Sequence, residues 1–180
     1  MRLFIGLPLP PSAAESTAQL ADRCAAVIPG RYSLAENYHI TLAFLGEVPP
    51  EQLEEAKSAL SAFAKRFPAP RLTLEQIAYF RQPSNAVLIR SVQIPDDLPH
   101  MHRTLCALLD AHALPHTDGP FSPHVTLARH VDLSGIDPAS LHAPCVSFTA
   151  PHAALYLSAR DEQDVLRYTP LFCAPFVKSI

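Results

Sequence analysis

Short apolar runs separated by proline-rich breaks divide this chain into strands and amphipathic helices. Residues 2–7 (RLFIGL) form a β-prone run stopped by Pro8, Pro10 and Pro11, which predicts a strand. Behind it Leu20, Cys24 and Val27 or Ile28 recur at helical spacing. Ser12 and Glu15 fit a capping box at the head of that helix, and Pro29-Gly30 ends it. Residues 37–48 (NYHITLAFLGEV) predict a strand ending at Gly46. Pro49-Pro50 then leads into a second helix with Leu53, Ala56, Leu60 and Phe63 on one face and acids near its start. RLTLEQIAYF and NAVLIRSVQI are strand runs joined through a Pro-Ser-Asn turn. A third helix carries Met101, Leu105, Leu108 and Leu109, and a strand follows from Pro123 to about Arg129. Residues 145–149, 153–158 and 167–176 predict three closing strands. The order is β-α-β-α-β-β and then α-β-β-β, the pattern of a duplicated α+β unit whose two lobes face each other across a cleft.

Two of these strands carry the same five-residue pattern, His-x-Thr-Leu-Ala, at His39 and again at His124. Successive strand residues point to opposite faces. Strict alternation sends His39, Thr41 and Ala43 one way and Ile40, Leu42 and Phe44 the other. It likewise separates His124, Thr126 and Ala128 from Val125, Leu127 and Arg129. One face of each strand then packs into core, and the other presents an imidazole, a hydroxyl and a small residue. Facing strands would line one cleft with two imidazoles and two hydroxyls. Phosphodiester hydrolysis uses such a set: a base for the incoming water, an acid for the departing alkoxide, and donors for the phosphoryl oxygens. Histidine titrates near neutrality, so one ring can start neutral and the other protonated. A lone His-x-Thr in a strand says almost nothing. Two copies in matching contexts say a great deal, and a strained cyclic 2′,3′-phosphate could react at such a site without a metal.

Composition narrows the class. The 180 residues are 48% hydrophobic and 17% charged, an ordinary globular balance in a length suited to one domain, residues 1–180, or two lobes sharing a core. Nineteen prolines against five glycines imply short, stiff connections. A net charge of −3 argues against a broad non-specific nucleic-acid surface and leaves room for a small phosphate pocket. Cys24, Cys106, Cys145 and Cys173 are widely spaced among apolar neighbours, with no C-x-x-C, and read as reduced thiols of a cytoplasmic protein. Prolines interrupt the apolar N-terminus too early for a signal peptide, and no run approaches the roughly 20 apolar residues that span a bilayer. His100, His102, His112 and His116 read as surface histidines, because Pro99 and Pro115 break their helix where paired metal ligands would be needed. Five isolated glycines build neither a P-loop nor a dinucleotide fingerprint.

The pair HITLAFLG and PHVTLAR resembles the two signature motifs of the two-histidine phosphoesterases. Within them it most resembles the LigT-like RNA 2′,3′-cyclic phosphodiesterases, once described as 2′-5′ RNA ligases. RLFIGLPLP, NYHITLAFLGEV, PFSPHVTLAR and the late RYTPL match in order, so the resemblance spans nearly the whole chain. It implies a bilobal α+β fold with two antiparallel-type β-sheets facing a central cleft and helices outside. It also implies hydrolysis of terminal 2′,3′-cyclic phosphates to 2′-phosphates without a metal. RNA ends or nucleotides bearing that group are the expected substrates, and no cofactor, membrane or obligatory protein partner is expected. By position, His39 resembles the proton donor to the leaving 3′-oxygen and His124 the acceptor that activates water, while Thr41 and Thr126 would bind phosphate oxygens. Arg129 and Tyr168 are candidate substrate-binding residues; by parity Arg129 points away from His124, so a phosphate contact needs a bulge or twist. The same parity assigns Phe44 to the core, and Tyr79 and Phe80 are candidates for a base platform. Two neighbouring readings are a phosphodiesterase or ligase acting on small cyclic or 2′,5′-linked nucleotides, and a nucleotide-binding module without turnover. The intact motifs favour turnover.

Overall fold

The computed structural model describes residues 1–178. Its elements are β1 (Arg2–Pro8), α1 (Pro11–Ala25), β2 (Arg31–Tyr32), β3 (His39–Glu47), α2 (Leu53–Ala64), β4 (Arg71–Arg81), β5 (Ala86–Gln93), α3 (Leu98–Ala111), β6 (His124–Val131), β7 (Val146–Thr149), β8 (His152–Arg160) and β9 (Leu166–Pro175). The strands form two sheets. One has the order β3-β1-β8-β9 and the other β2-β6-β5-β4-β7, with antiparallel neighbours throughout. This is the α+β, two-sheet architecture that the sequence predicts, with one His-x-Thr strand in each sheet. The sheets do not divide the chain into halves, however. The first is built from the two ends of the chain and the second mostly from its middle, because β1 pairs with both β3 and β8.

Helices cover the outer faces. α1 packs against β6 and β7 of the second sheet, whereas α2 lies on β8 and β9 and α3 on β3. Each helix is amphipathic in sequence; α1 buries Ala13, Thr17, Leu20, Ala21 and Cys24, which fall on one face of the helix. Burying a leucine fully is worth about 1.5–3 kcal/mol, so such stripes hold helices of this length in place. The start of α1 differs from expectation. Pro11 is its first residue, Pro10 caps it without a side-chain bond, and Ser12 falls inside the first turn, so no Ser12–Glu15 capping box forms.

Beneath α1 lies Arg90, fully buried on β5. Its guanidinium donates to the Thr17 hydroxyl at 3.0 Å and to the backbone carbonyls of Glu75 and Pro144, and no carboxylate faces it among the described residues. Thr17 in turn donates to the Ala13 carbonyl at 2.7 Å. A buried cation is tolerable when its donors are satisfied, and this one ties α1, β5 and the Pro144 segment together. No helix among the described residues is long and apolar enough to cross a membrane. The four cysteines are unpaired, with Cys24 buried and Cys145 and Cys173 exposed rather than packed among apolar neighbours.

Candidate active site

Both histidine strands break their alternation at the same place. In β3, Ile5 pairs with Ala43 and Gly6 with Thr41, leaving Leu42 as an extra residue. In β6, Ile89 pairs with Thr126 and Leu88 with Ala128, leaving Leu127 extra. Each is a β-bulge, which shifts every later side chain to the opposite face. Leu42 and Ala43 therefore both turn into the core, as do Leu127 and Ala128. The small residue expected beside each histidine is not there. Phe44 and Arg129 come round instead onto the faces of His39 and His124. The bulge carbonyls are satisfied by neighbours: His102 Nδ1–H donates to Leu42 O at 2.9 Å, and the Ser33 amide donates to Leu127 O at 2.8 Å.

The two imidazoles are held alike. His39 Nδ1–H donates to the Asn37 carbonyl at 2.7 Å, and His124 Nδ1–H donates to the Ser122 carbonyl at 2.7 Å. A carbonyl only accepts, so Nδ1 carries the hydrogen in both rings and Nε2 of the neutral ring holds a lone pair. The Thr41 hydroxyl donates to His39 Nε2 at 3.0 Å. Thr126 lies half-buried on the His124 face, and no side-chain hydrogen bond engages its hydroxyl among the described residues.

Surroundings differ more than geometry. His39 sits 4.6 Å from the Phe4 ring, 5.9 Å from Tyr156 and 5.1 Å from Tyr168, the last edge-on at 88°. Phe4, Phe44, Ala154, Tyr156 and Tyr168 form a small apolar cluster on the cleft face, apart from the main core. His124 meets one aromatic ring among the described residues, Phe80, edge-on at 5.0 Å. Burial lowers the His39 pKa to about 4 against the opposing pull of the Asn37 carbonyl; the charges of His124 and Arg129 lower it further. Burial also lowers His124, though less far, with the Ser122 carbonyl opposing and Arg129 adding to the shift. The aromatic cage raises the Tyr156 hydroxyl to about 12 through burial. Arg129 thus reaches both histidines electrostatically, as the bulge at Leu127 permits.

Several residues position this centre that sequence reasoning passed over. Gly6 lies under His39: a Cβ there would come within 3.0 Å of Ile40 O and 3.1 Å of His39 Cδ2. A glycine inside a strand is the usual sign of such close approach. Asn37, buried before the first motif, uses its amide to grip β9, donating to Leu166 O at 2.8 Å and accepting from the Tyr168 amide at 3.1 Å. Arg167 bridges Glu36 and Asp161 beside it. His102 is no free surface histidine but stacks on Phe121 at 4.2 Å while bonding the bulge. Of the two candidate platform residues, Phe80 faces the cleft, 38% exposed. Tyr79 points to the other face, under Arg81. No group of three or more His, Cys, Asp or Glu side chains is placed to hold a metal ion among the described residues.

Comparison with known proteins bears on this site as a whole. The family model described as the 2′-5′ RNA ligase superfamily matches residues 8–163, a span containing both histidine strands. The RNA 2′,3′-cyclic phosphodiesterase of Escherichia coli K12 is 32% identical over 176 residues, which cover 94% of this chain and 93% of that protein. That of Geobacillus stearothermophilus is 27% identical over 183 residues. The match takes in 96% of this chain but only 58% of that relative, so the chain spans little more than half its length. Among solved structures, E. coli LigT in complex with 3′-AMP matches over 98% of both chains at 31% identity and a TM-score of 0.75. Motif, fold and sequence similarity converge on one assignment: this chain belongs to the 2′-5′ RNA ligase superfamily.

Proposed function

We propose that this protein is an RNA 2′,3′-cyclic phosphodiesterase, opening terminal 2′,3′-cyclic phosphates to 2′-phosphates within a single unit of two pseudo-symmetric lobes. The observation that carries this reading is the matched pair of imidazoles. Each is fixed through Nδ1–H on a backbone carbonyl two residues upstream and keeps Nε2 for chemistry. Water attacks phosphorus as His124 Nε2 takes its proton. The P–O3′ bond breaks and His39 Nε2–H delivers a proton to O3′, leaving a 2′-phosphomonoester and a free 3′-hydroxyl. Thr41 and Thr126 donate to phosphoryl oxygens, and Arg129 adds positive charge where negative charge develops. Tyr168 closes the His39 side of the cleft by its edge-on contact. RNA ends or nucleotides bearing the cyclic phosphate are the substrates, and no protein partner is needed. Exposed, unpaired Cys145 and Cys173 suit the reducing cytoplasm.

The lowered pKa of His39 fits a donor in one respect and constrains it in another. A pKa of about 4 leaves only about one ring in a thousand charged at pH 7. The same pKa makes the charged ring a strong acid toward a poor alkoxide leaving group, while the less depressed His124 is the better base. An anionic phosphodiester in the cleft favours the charged ring and raises its pKa. The substrate therefore helps to charge its own acid, and the Thr41 hydrogen is released from Nε2 to a phosphoryl oxygen.

The direct test is incubation with a nucleoside 2′,3′-cyclic phosphate in the presence of EDTA, with the product followed by ³¹P NMR. The 2′-phosphate is expected, at a rate unaffected by EDTA. A 3′-phosphate product, or activity lost to EDTA and restored by Mg²⁺ or Zn²⁺, overturns the reading.

A further inference from the structure

A groove leads away from the catalytic centre, and its walls are basic although the chain as a whole carries a charge of −3. Arg31 and Arg129 are direct cross-strand partners on β2 and β6, so they project from the same face side by side. Like charges placed directly opposite each other are destabilising. Neither has an ion-pair partner among the described residues, and neither does Arg2, whose guanidinium lies 4.9 Å over the Phe44 ring. Arg160 completes the set from the β8–β9 hairpin, held at 3.3 Å by the exposed Asp164. Two further carboxylates beside β9, Glu36 and Asp161, are both taken up by Arg167, which leaves Asp164 as the one acid paired with a groove arginine among the described residues.

Two adjoining hollows share Arg129, Arg160 and Leu166. One, of about 230 Å³, also has Arg31, Tyr32 and the exposed Leu34 on its walls; the other, of about 420 Å³, has Arg2 and Ser158. Asn37, whose carbonyl holds His39, lines the first, so the groove begins where the catalytic centre ends. Uncompensated arginines suit phosphate groups, which they grip with two parallel hydrogen bonds.

We infer that this groove is a second substrate site, which binds the internucleotide phosphates on the 5′ side of an RNA strand whose cyclic 3′ end occupies the catalytic centre. Arg31 and Arg160 hold those phosphates, and Tyr32 and Leu34 offer apolar surface to the attached nucleosides. Arg129 links the two sites, serving the reacting phosphate from one side and the preceding one from the other. The site selects RNA ends over free nucleotides. This inference rests on the phosphodiesterase reading above.

The test compares uridine 2′,3′-cyclic phosphate with a five-uridine RNA ending in the same group, for wild type, Arg31→Gln, Arg160→Gln and the double variant, across a range of salt. In the wild type kcat/KM should favour the oligonucleotide by about tenfold or more at low salt, falling as salt rises. The double variant should lose at least about fivefold on the oligonucleotide, with a salt slope flatter by about 0.7 per arginine removed, and stay within about twofold on the mononucleotide. Equal wild-type kcat/KM on the two substrates, or equal losses on both in the variant, overturns the site. Turnover of neither substrate sinks the phosphodiesterase reading instead. Fluorescence anisotropy with a labelled five-uridine RNA ending in a 2′-phosphate still decides the groove in that case. Weaker binding by the double variant supports it, and unchanged binding removes it.

Discussion

The strands of His39 and His124 begin from one five-residue pattern, identical at all but its second position, and reach the same backbone: a bulged leucine, a carbonyl two residues upstream on Nδ1, and a threonine two residues downstream. They diverge in what surrounds them. Beyond its bulge β3 presents Phe44 and beyond its own β6 presents Arg129; one histidine is enclosed by Phe4, Tyr156 and Tyr168, while the other has Phe80 as its single aromatic contact among the described residues. Nε2 of the first is engaged by Thr41. A short motif thus fixes where an imidazole points, while the packing around it sets how readily that imidazole takes a proton. Two copies of one motif differ in proton affinity because their neighbours differ, and the proposed division into acid and base rests on that difference.

The largest test removes each ring. His39→Ala and His124→Ala should each lower kcat by about 10²–10⁴-fold on a cyclic nucleotide. Against a nitrophenyl phosphodiester, whose leaving group needs no proton, only His39→Ala should recover. Recovery of His124→Ala alone would reverse the assignment of acid and base. The next test exchanges the side chain that each bulge brings round. Arg129→Gln should cost about 10–100-fold in kcat/KM, in keeping with the roughly 1.5–3 kcal/mol of a hydrogen bond to a charged group. Since Arg129 lowers both histidines, both should titrate at higher pH in that variant by NMR. Phe44→Leu should stay within a few-fold, and an equal loss in the two variants would show that packing, not charge, matters at this position.

A smaller effect separates the two carbonyls. Asn37→Ala removes the side chain that locks the His39 carbonyl to β9. It should lower activity about tenfold and cost about 1–3 kcal/mol in urea unfolding. Ser122→Ala leaves its backbone carbonyl in place and should change neither. Activity near wild type in Asn37→Ala would mean that the Asn37 carbonyl stays put without its tether. The smallest effect lies in the pH profiles. Both folded pKa values fall below the ordinary 6.5, so the free enzyme has its singly protonated pair at mildly acidic pH, and kcat/KM should decline above it. Bound anion raises both values, and the basic limb of kcat should lie about a unit higher than that of kcat/KM. Coincident limbs would mean that substrate does not charge the acid.

Every strand but β2, the three helices and the two motif histidines were legible because hydrophobic period and the repeated motif are local signals. What lay beyond reach involves partners distant in sequence. Alternation places Ala43 and Ala128 beside the histidines and Arg129 behind them, and it fails because a bulge belongs to a pair of strands. The extra residue is visible only in the register against β1 or β5. β2 has two residues, too few for any pattern, yet it brings Arg31 to Arg129. Asn37 and His102 act through backbone groups of β9 and β3, and neither spacing nor composition marks those bonds. Gly6 was the exception, since a lone glycine within an apolar strand already signals a crowded backbone.

The place of β1 has a bearing on how the molecule assembles. β4, β5, β6 and β7 follow one another along the chain, so most of the second sheet can form by joining near neighbours. The first sheet has its earliest strand at the centre, and one edge of β1 stays open until residues 152–160 arrive. Pairing segments so far apart in sequence is slow, because the entropy of closing the long loop is lost before the contacts form. Tyr156 and Tyr168 come with the same late segment, so until the last sheet closes His39 has Phe4 beside it but lacks the rest of its aromatic surround. During refolding, secondary structure by far-UV circular dichroism should therefore return before catalytic activity, with the depressed titration of His39 appearing together with activity. Simultaneous recovery of all three would mean that the two sheets fold as one.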